Sequence, residues 1–178
     1  MACNSITLQS IDGSCDNSAG GIKRILLINR DDVTATIATS SNPNELITSI
    51  TKASGKKFAE WRFRRNTGSY TSTASVDNTI GNSSVSTTVS LQFSKAEATK
   101  RVAIQQALQA GAVVIVEDMY GQYLYLGFDN EVYITNATMV SGTQNSDLSG
   151  FTVEFTDTSF GLPRFIDTTK VNINSLLV

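Results

Sequence analysis

The 178-residue chain has no histidine, two prolines, two cysteines and one tryptophan, and only 17% of its residues are charged. Without histidine the commonest general base is missing, and so are the usual ligand sets for zinc and non-haem iron. An enzyme built from this chain would have to work through paired carboxylates or a nucleophile with no imidazole partner. No stretch approaches the roughly 20 apolar residues of a membrane helix. The opening MACNSITLQSIDGSCDNSAGG lacks the basic start and apolar centre of a secretory signal. The expectation is a soluble protein made in the cytosol, with Cys3 and Cys15 as free thiols rather than a short-loop disulfide.

The charge that is present is unevenly spread. A net charge of -2 lacks the clustered basic footprint of a tight, nonspecific nucleic-acid binder. Lys52, Lys56, Lys57, Arg62, Arg64 and Arg65 nevertheless crowd one ribbon beside the single acid Glu60. Residues 102–163 hold no Lys or Arg at all, but do hold Glu117, Asp118, Asp129, Glu131, Asp147, Glu154 and Asp157. Two solvated faces of a monomer would look like this, and so would complementary surfaces that meet between subunits; the second reading is preferred. A covering of Ser, Thr, Asn and Gln in place of charge also suits a protein that packs against its own copies.

Periodicity describes a mainly antiparallel β chain of the α+β class, a sandwich or small barrel with one helix. Ile22, Ile25, Leu26, Leu27 and Ile28 form a run short enough for a buried strand, closed by Asp31 and Asp32. Asn42, Pro43 and Asn44 make a turn, and residues 45–50 read equally as a strand or a short helical turn. In KKFAEWRFRR, Ala59, Trp61 and Phe63 alternate with Glu60, Arg62 and Arg64, the pattern of a half-buried strand. A long uncharged hairpin follows over residues 66–90, whose tip at 71–84 has few large apolar residues to anchor it. Ser94 with Glu97 has capping-box spacing and predicts a helix over 94–110, with a narrow, alanine-rich stripe and Gly111 as its stop. Strands are then expected from Val113, Tyr123, Val132 and Phe151, with a polar C-terminal arm over 167–178.

Few residues suggest chemistry. Glu117 with Asp118 and Asp129 with Glu131 flank a strand pair where a glycosidase pair or a calcium site would fit, but acids at strand ends are read here as solvated turn residues. KKFAEWRFRR has the cations and aromatics to stack single-stranded nucleic acid, although Trp61 and Phe63 serve more simply as an inner strand face. Tyr120, Tyr123 and Tyr125 would be the aromatic platform of a monomeric β-sandwich binding module. No catalytic, cofactor-binding or metal-binding residue is assigned, and no enzyme activity is expected.

The order of elements, a long uncharged hairpin, one helix and an antiparallel finish, resembles the tail tube proteins of long-tailed bacteriophages, whose fold is shared with secretion-system tube proteins. SDLSGFTVEFTDTSFGLPRFI is similar to their closing strand. MACNSITLQSIDGSCDNSAGGIKRILLIN resembles the start of structural proteins in phages and prophages of Bacteroides-type bacteria. The resemblance implies one domain over 1–178, with an N-terminal arm at 1–19, and a virion protein made in the host bacterial cytoplasm. It implies a homo-oligomeric ring of six subunits, stacked into a tube through which DNA passes, and contacts with other phage tail or neck proteins. Neither a membrane nor a small-molecule substrate is involved. A neck ring or head–tail adaptor of the same fold is the near alternative. Under this resemblance Tyr70, Thr71, Val76, Thr79, Ile80, Arg62 and Arg64 make contacts between subunits, while Glu60 and Glu154 face the lumen. The hairpin would reach a neighbouring subunit or ring, and the helix would cover an open end of its own subunit.

Overall fold

The structure, a computed structural model, describes residues 11, 20–37, 45–77, 82–144 and 147–177. The two cysteines, the turn at 42–44 and the contact candidates Thr79 and Ile80 lie outside the described residues.

The apolar run after Gly21 forms β1 (Ile22–Asn29), and its neighbour β7 (Ala112–Asp118) is just as apolar. Residues 25–28 of β1 and 112–116 of β7 read as unbroken hydrophobic runs because both faces of each are covered. Ile25 and Leu27 of β1 join one core with Val114 and Val116 of β7. Leu26 and Ile28 join a second core with Val113 and Ile115. These strands are the middle of a five-stranded sheet that also contains β4 (Ala59–Arg62), β8 (Tyr123–Leu126) and β11 (Arg164–Phe165), in the order β11-β8-β7-β1-β4.

A four-stranded sheet lies against the first core. Its order is β5 (Gly68–Asp77), β6 (Asn82–Ser94), β10 (Gly150–Ser159) and β9 (Tyr133–Val140), and every neighbouring pair is antiparallel. Val89, Leu91 and Phe93 of β6 and Phe151, Val153 and Phe155 of β10 supply its half of that core. Full burial of each such side chain is worth about 1.5–3 kcal/mol. Trp61 and Phe63 pack at the rim, each edge-on to Phe93 with ring centroids 5.6 and 6.0 Å away. The alternation of KKFAEWRFRR thus has the physical meaning expected of it, apart from Ala59, which is exposed.

The second core is closed by a two-stranded ribbon, β2 (Val33–Ile37) with β3 (Ile47–Lys52), and by the end of the chain. Residues 47–52 therefore take the strand option left open by their pattern. The C-terminal segment is not simply polar, because Val171, Ile173 and Leu176 are buried in this core. Among the described residues the sheets do not close into a barrel; β4, β11, β5 and β9 are edges.

Among the described residues the single α-helix, α1 (Ala98–Leu108), begins four residues after the expected start. Ser94 is not its cap. It ends β6, paired with Gly150, and Lys95 follows in the left-handed region at φ 68° with its N–H donated to the Ser149 carbonyl. Glu97 takes the cap position without a side-chain cap bond, and its carboxylate instead pairs with Lys95 and Lys100. Ile104 enters the first core, and Ala103, Ala107 and Ala110 share a groove with Leu27, Ala59 and Trp61. The alanine stripe thereby faces the β4 edge across this groove, and the helix itself packs beside β9. Among the described residues no helix is long and apolar enough to cross a membrane.

Candidate functional site

The outward face of the four-stranded sheet is a grid of hydroxyls. Cross-strand register places Ser69, Ser90, Glu154 and Asn136 in one row and Thr71, Thr88, Thr156 and Tyr133 in the next. Gln92, Thr152 and Thr138 flank the first row, and Thr73, Ser86 and Thr158 flank the second. Strand alternation dictates this, since the residues between them fill the first core. Glu154 is the one charge in these rows, and its carboxylate accepts a bond from Asn136 Nδ2 at 3.3 Å.

Among the described residues neither border of this sheet carries a further strand: β5 pairs only with β6, and β9, which α1 approaches, only with β10. Neither edge contains Lys, Arg or Pro, the residues that ordinarily discourage further pairing at an exposed strand. On the core-facing side, Val76 of β5 and Met139 of β9 are each 64% exposed, and Tyr70 is 36% exposed. These side chains point to the same side as the buried Val85 and Phe151, yet they remain partly exposed there.

A second cluster crosses the end of the five-stranded sheet where β1 begins. Arg62, Arg24, Glu117 and Tyr123 occupy one lateral row across β4, β1, β7 and β8, on the face of the second core. The Arg24 guanidinium pairs with Glu117 and, at 2.7 Å, with Glu60; its other nitrogen lies 3.4 Å from the Tyr123 hydroxyl. Lys23, placed by the register shift between Ile22 and Arg24, reaches Glu117 at 2.6 Å. Arg62 reaches Glu60 at 3.0 Å. Burial works against ionisation of Arg24, but its bonds to Glu60 and Glu117 outweigh that and hold its pKa above the ordinary value. Burial likewise pushes Glu117 up, while Lys23 and Arg24 together hold its carboxyl below the ordinary range. Hydrogen bonds from Arg24 and Arg62 do the same for Glu60.

The expected sites are therefore separated. Glu154 lies on the hydroxyl grid, whereas Glu60 lies on the other sheet, neutralised by two arginines. Tyr70, Thr71 and Val76 lie together on the β5 edge; Arg62 and Arg64 do not join them, being exposed at the end of β4 and just after it. Glu117 is no solvated turn residue, since only 3% of it is exposed. Asp118 is one, its Oδ1 accepting from the N–H groups of Tyr120 and Gln122. Asp129 stands 3.8 Å from Arg164, and Glu131 accepts from the Tyr133 hydroxyl.

Two residues escaped the sequence reading, though the pattern held a signal for each. Arg24, with Lys23, stands among the apolar residues of β1, and Asp157 continues the inward alternation of Phe151, Val153 and Phe155. Asp157 is 3% exposed; Oδ2 accepts from Gly127 N–H at 3.4 Å, and Oδ1 has no hydrogen-bond partner among the described residues. Burial raises its pKa, and the charge of Asp129 adds to the effect.

Among the described residues no group of three or more His, Cys, Asp or Glu side chains is placed to hold a metal ion. Comparisons with family models, with curated proteins and with solved structures return no match to this chain.

Proposed function

We propose that the chain is a self-assembling structural subunit of the phage tail tube kind, a two-layered sandwich whose four-stranded sheet continues from one subunit to the next around a ring. The observation that carries this reading is the pair of unpaired edges, free of Lys, Arg and Pro, on a sheet with an even number of antiparallel strands. Alternating directions across four strands leave β5 and β9 antiparallel to each other, so rotation about an axis along the strands sets β9 of one copy antiparallel to β5 of the next. The same edge-to-edge contact repeats at every subunit and closes. At each seam the partly exposed Met139 and Val76 lie on the core-facing side, which extends the first core across the joint. A ring closed by edge pairing removes the free edges as a barrel does.

In this arrangement the hydroxyl grid lines a channel. Its near absence of cations suits the passage of DNA, since no Lys or Arg lies in the grid to hold phosphate, and Glu154 contributes one repelling carboxylate per subunit. The hairpin formed by β5 and β6 supplies one border of the sheet, and α1 closes the flank of its own subunit. The ring number of six comes from the family resemblance. Its partners are its own copies and the neighbouring proteins of a virion tail, with DNA in transit. No catalytic role belongs to this reading.

Negative-stain electron microscopy with mass photometry of the purified protein tests it. Closed rings or tubes are expected, and V76K or M139K should leave a folded monomer, since both positions are already exposed in the single chain. A native protein that is monomeric at every concentration would replace this reading with that of a monomeric binding module, and rings indifferent to both substitutions would overturn the edge-paired seam.

A further inference from the structure

The start of β1 gathers more cations than its acids require. Neighbours on a strand ordinarily face opposite sides. Here the register shift between Ile22 and Arg24 turns both Lys23 and Arg24 to one acceptor, Glu117. Arg24 alone gives each buried acid a partner, since its guanidinium meets both Glu117 and Glu60. Lys23 and Arg62 are additional to that pairing. Lys23 meets Glu117 at 2.6 Å with 62% of its side chain exposed, and Arg62 meets Glu60 through Nε at 3.0 Å with 74% exposed. An ammonium and a guanidinium each have further donors beyond one such bond. With Arg24 and Phe63, these two side chains line an open cavity of about 350 Å³. Arg64 and Arg65 follow directly, exposed and without an ion pair among the described residues. Their turn is fixed by Asn66 in the left-handed region at φ 64° and by the Thr67 hydroxyl, which donates to the Arg64 carbonyl at 2.6 Å. The remaining acid at this end, Asp118, already accepts from the N–H groups of Tyr120 and Gln122. Positive charge is therefore in excess around the cavity.

We infer that this cavity binds a small phosphate ester, its phosphate held between Lys23 and Arg62 and its organic part against Phe63. A guanidinium fork matches phosphate oxygens, and a terminal phosphate offers more of them to converging donors than a carboxylate does. Arg24, held from behind by Glu60 and Glu117, is a positive wall fixed before any ligand arrives. The volume falls within the roughly 300–1,000 Å³ of small-ligand sites, so a bare phosphate would leave much of it to water. Every residue of the site comes from one chain. The inference therefore goes beyond the tube reading and holds whether or not rings form.

Isothermal titration calorimetry of the native protein with inorganic phosphate, adenosine diphosphate and adenosine, at constant ionic strength, tests this. The diphosphate should bind at a single site from which inorganic phosphate displaces it, and adenosine should not bind. K23A/R62A should weaken the diphosphate at least about tenfold, through loss of charge-assisted contacts. A circular dichroism spectrum like the native one confirms the fold of that variant, both side chains being largely exposed; if it fails, K23A and R62A are read singly. R62K retains the charge without the fork and should recover only part of the loss. K57A removes an exposed cation outside the cavity and should change nothing. The inference is overturned if neither phosphate nor the diphosphate binds saturably at millimolar concentration, if K23A/R62A binds as the native protein does, or if K57A weakens binding equally. Adenosine binding as tightly as the diphosphate would shift recognition to Phe63 and overturn the phosphate assignment. Salt-sensitive binding of duplex DNA with none of the diphosphate would assign these cations to nucleic acid and overturn it also.

Discussion

Arg24 and Glu117 stand opposite each other on β1 and β7, and they form an ion pair in which the side chains are only 15% and 4% exposed. Removing one member leaves the other its second partner, Lys23 for Glu117 and Glu60 for Arg24, so the loss is smaller than that of a fully orphaned buried charge, about 1–3 kcal/mol. R24M or E117A should show a loss of that size in urea denaturation, whereas R24M/E117L should recover most of it. Because the Glu117 pKa is lowered on folding, its contribution is present above the unfolded carboxylate value and lost as pH falls through the folded one. Stability of the native protein should therefore decline in acid more steeply than that of E117Q.

Asp157 carries the opposite sign. Its pKa is raised by burial, so its protonated form stabilises the fold and that stabilisation is lost as pH rises through the folded value. D157N should be more stable than the native protein at neutral pH, with the difference vanishing in acid below the ordinary carboxylate range. Thermal melts across that range read the crossover directly.

Gly150 pairs with Ser94 on one side and Val140 on the other, and a methyl group at its Cα would collide with the Phe93 backbone carbonyl. G150A has to push β10 away from β6. A loss of about 1–3 kcal/mol is expected in chemical denaturation.

In the helix, I104A should cost about 2–4 kcal/mol, because this side chain enters the first core. S94A should leave the helix signal in circular dichroism unchanged, since Ser94 caps nothing.

The contrast between Ser94 and Ile104 marks how far the sequence could be read. Apolar periodicity located β1, β7, β10 and the body of α1, because burial selects the same residue types wherever it occurs. The helix start escaped, because the capping-box spacing at Ser94 and Glu97 is satisfied equally by a residue that a neighbouring strand claims; the ladder to Gly150 won. The ion cluster was only half visible. Glu60 and Arg62 were legible as an outward-facing pair, but the burial of Glu117 depends on β7 lying beside β1, and no local pattern encodes which strands become neighbours. The free edges β5 and β9 were hidden for the same reason. Asp157 could have been found by extending the alternation of β10 by one further step.

Leu26 and Leu27 are adjacent in sequence and belong to different cores. A single peptide bond thus links the two hydrophobic interiors, and β7 repeats the link. Neither interior can open while the other keeps its order, so unfolding followed by a probe on either side should give one coincident transition, with the thinner C-terminal side protected from hydrogen exchange nearly as well as the face between the large sheets.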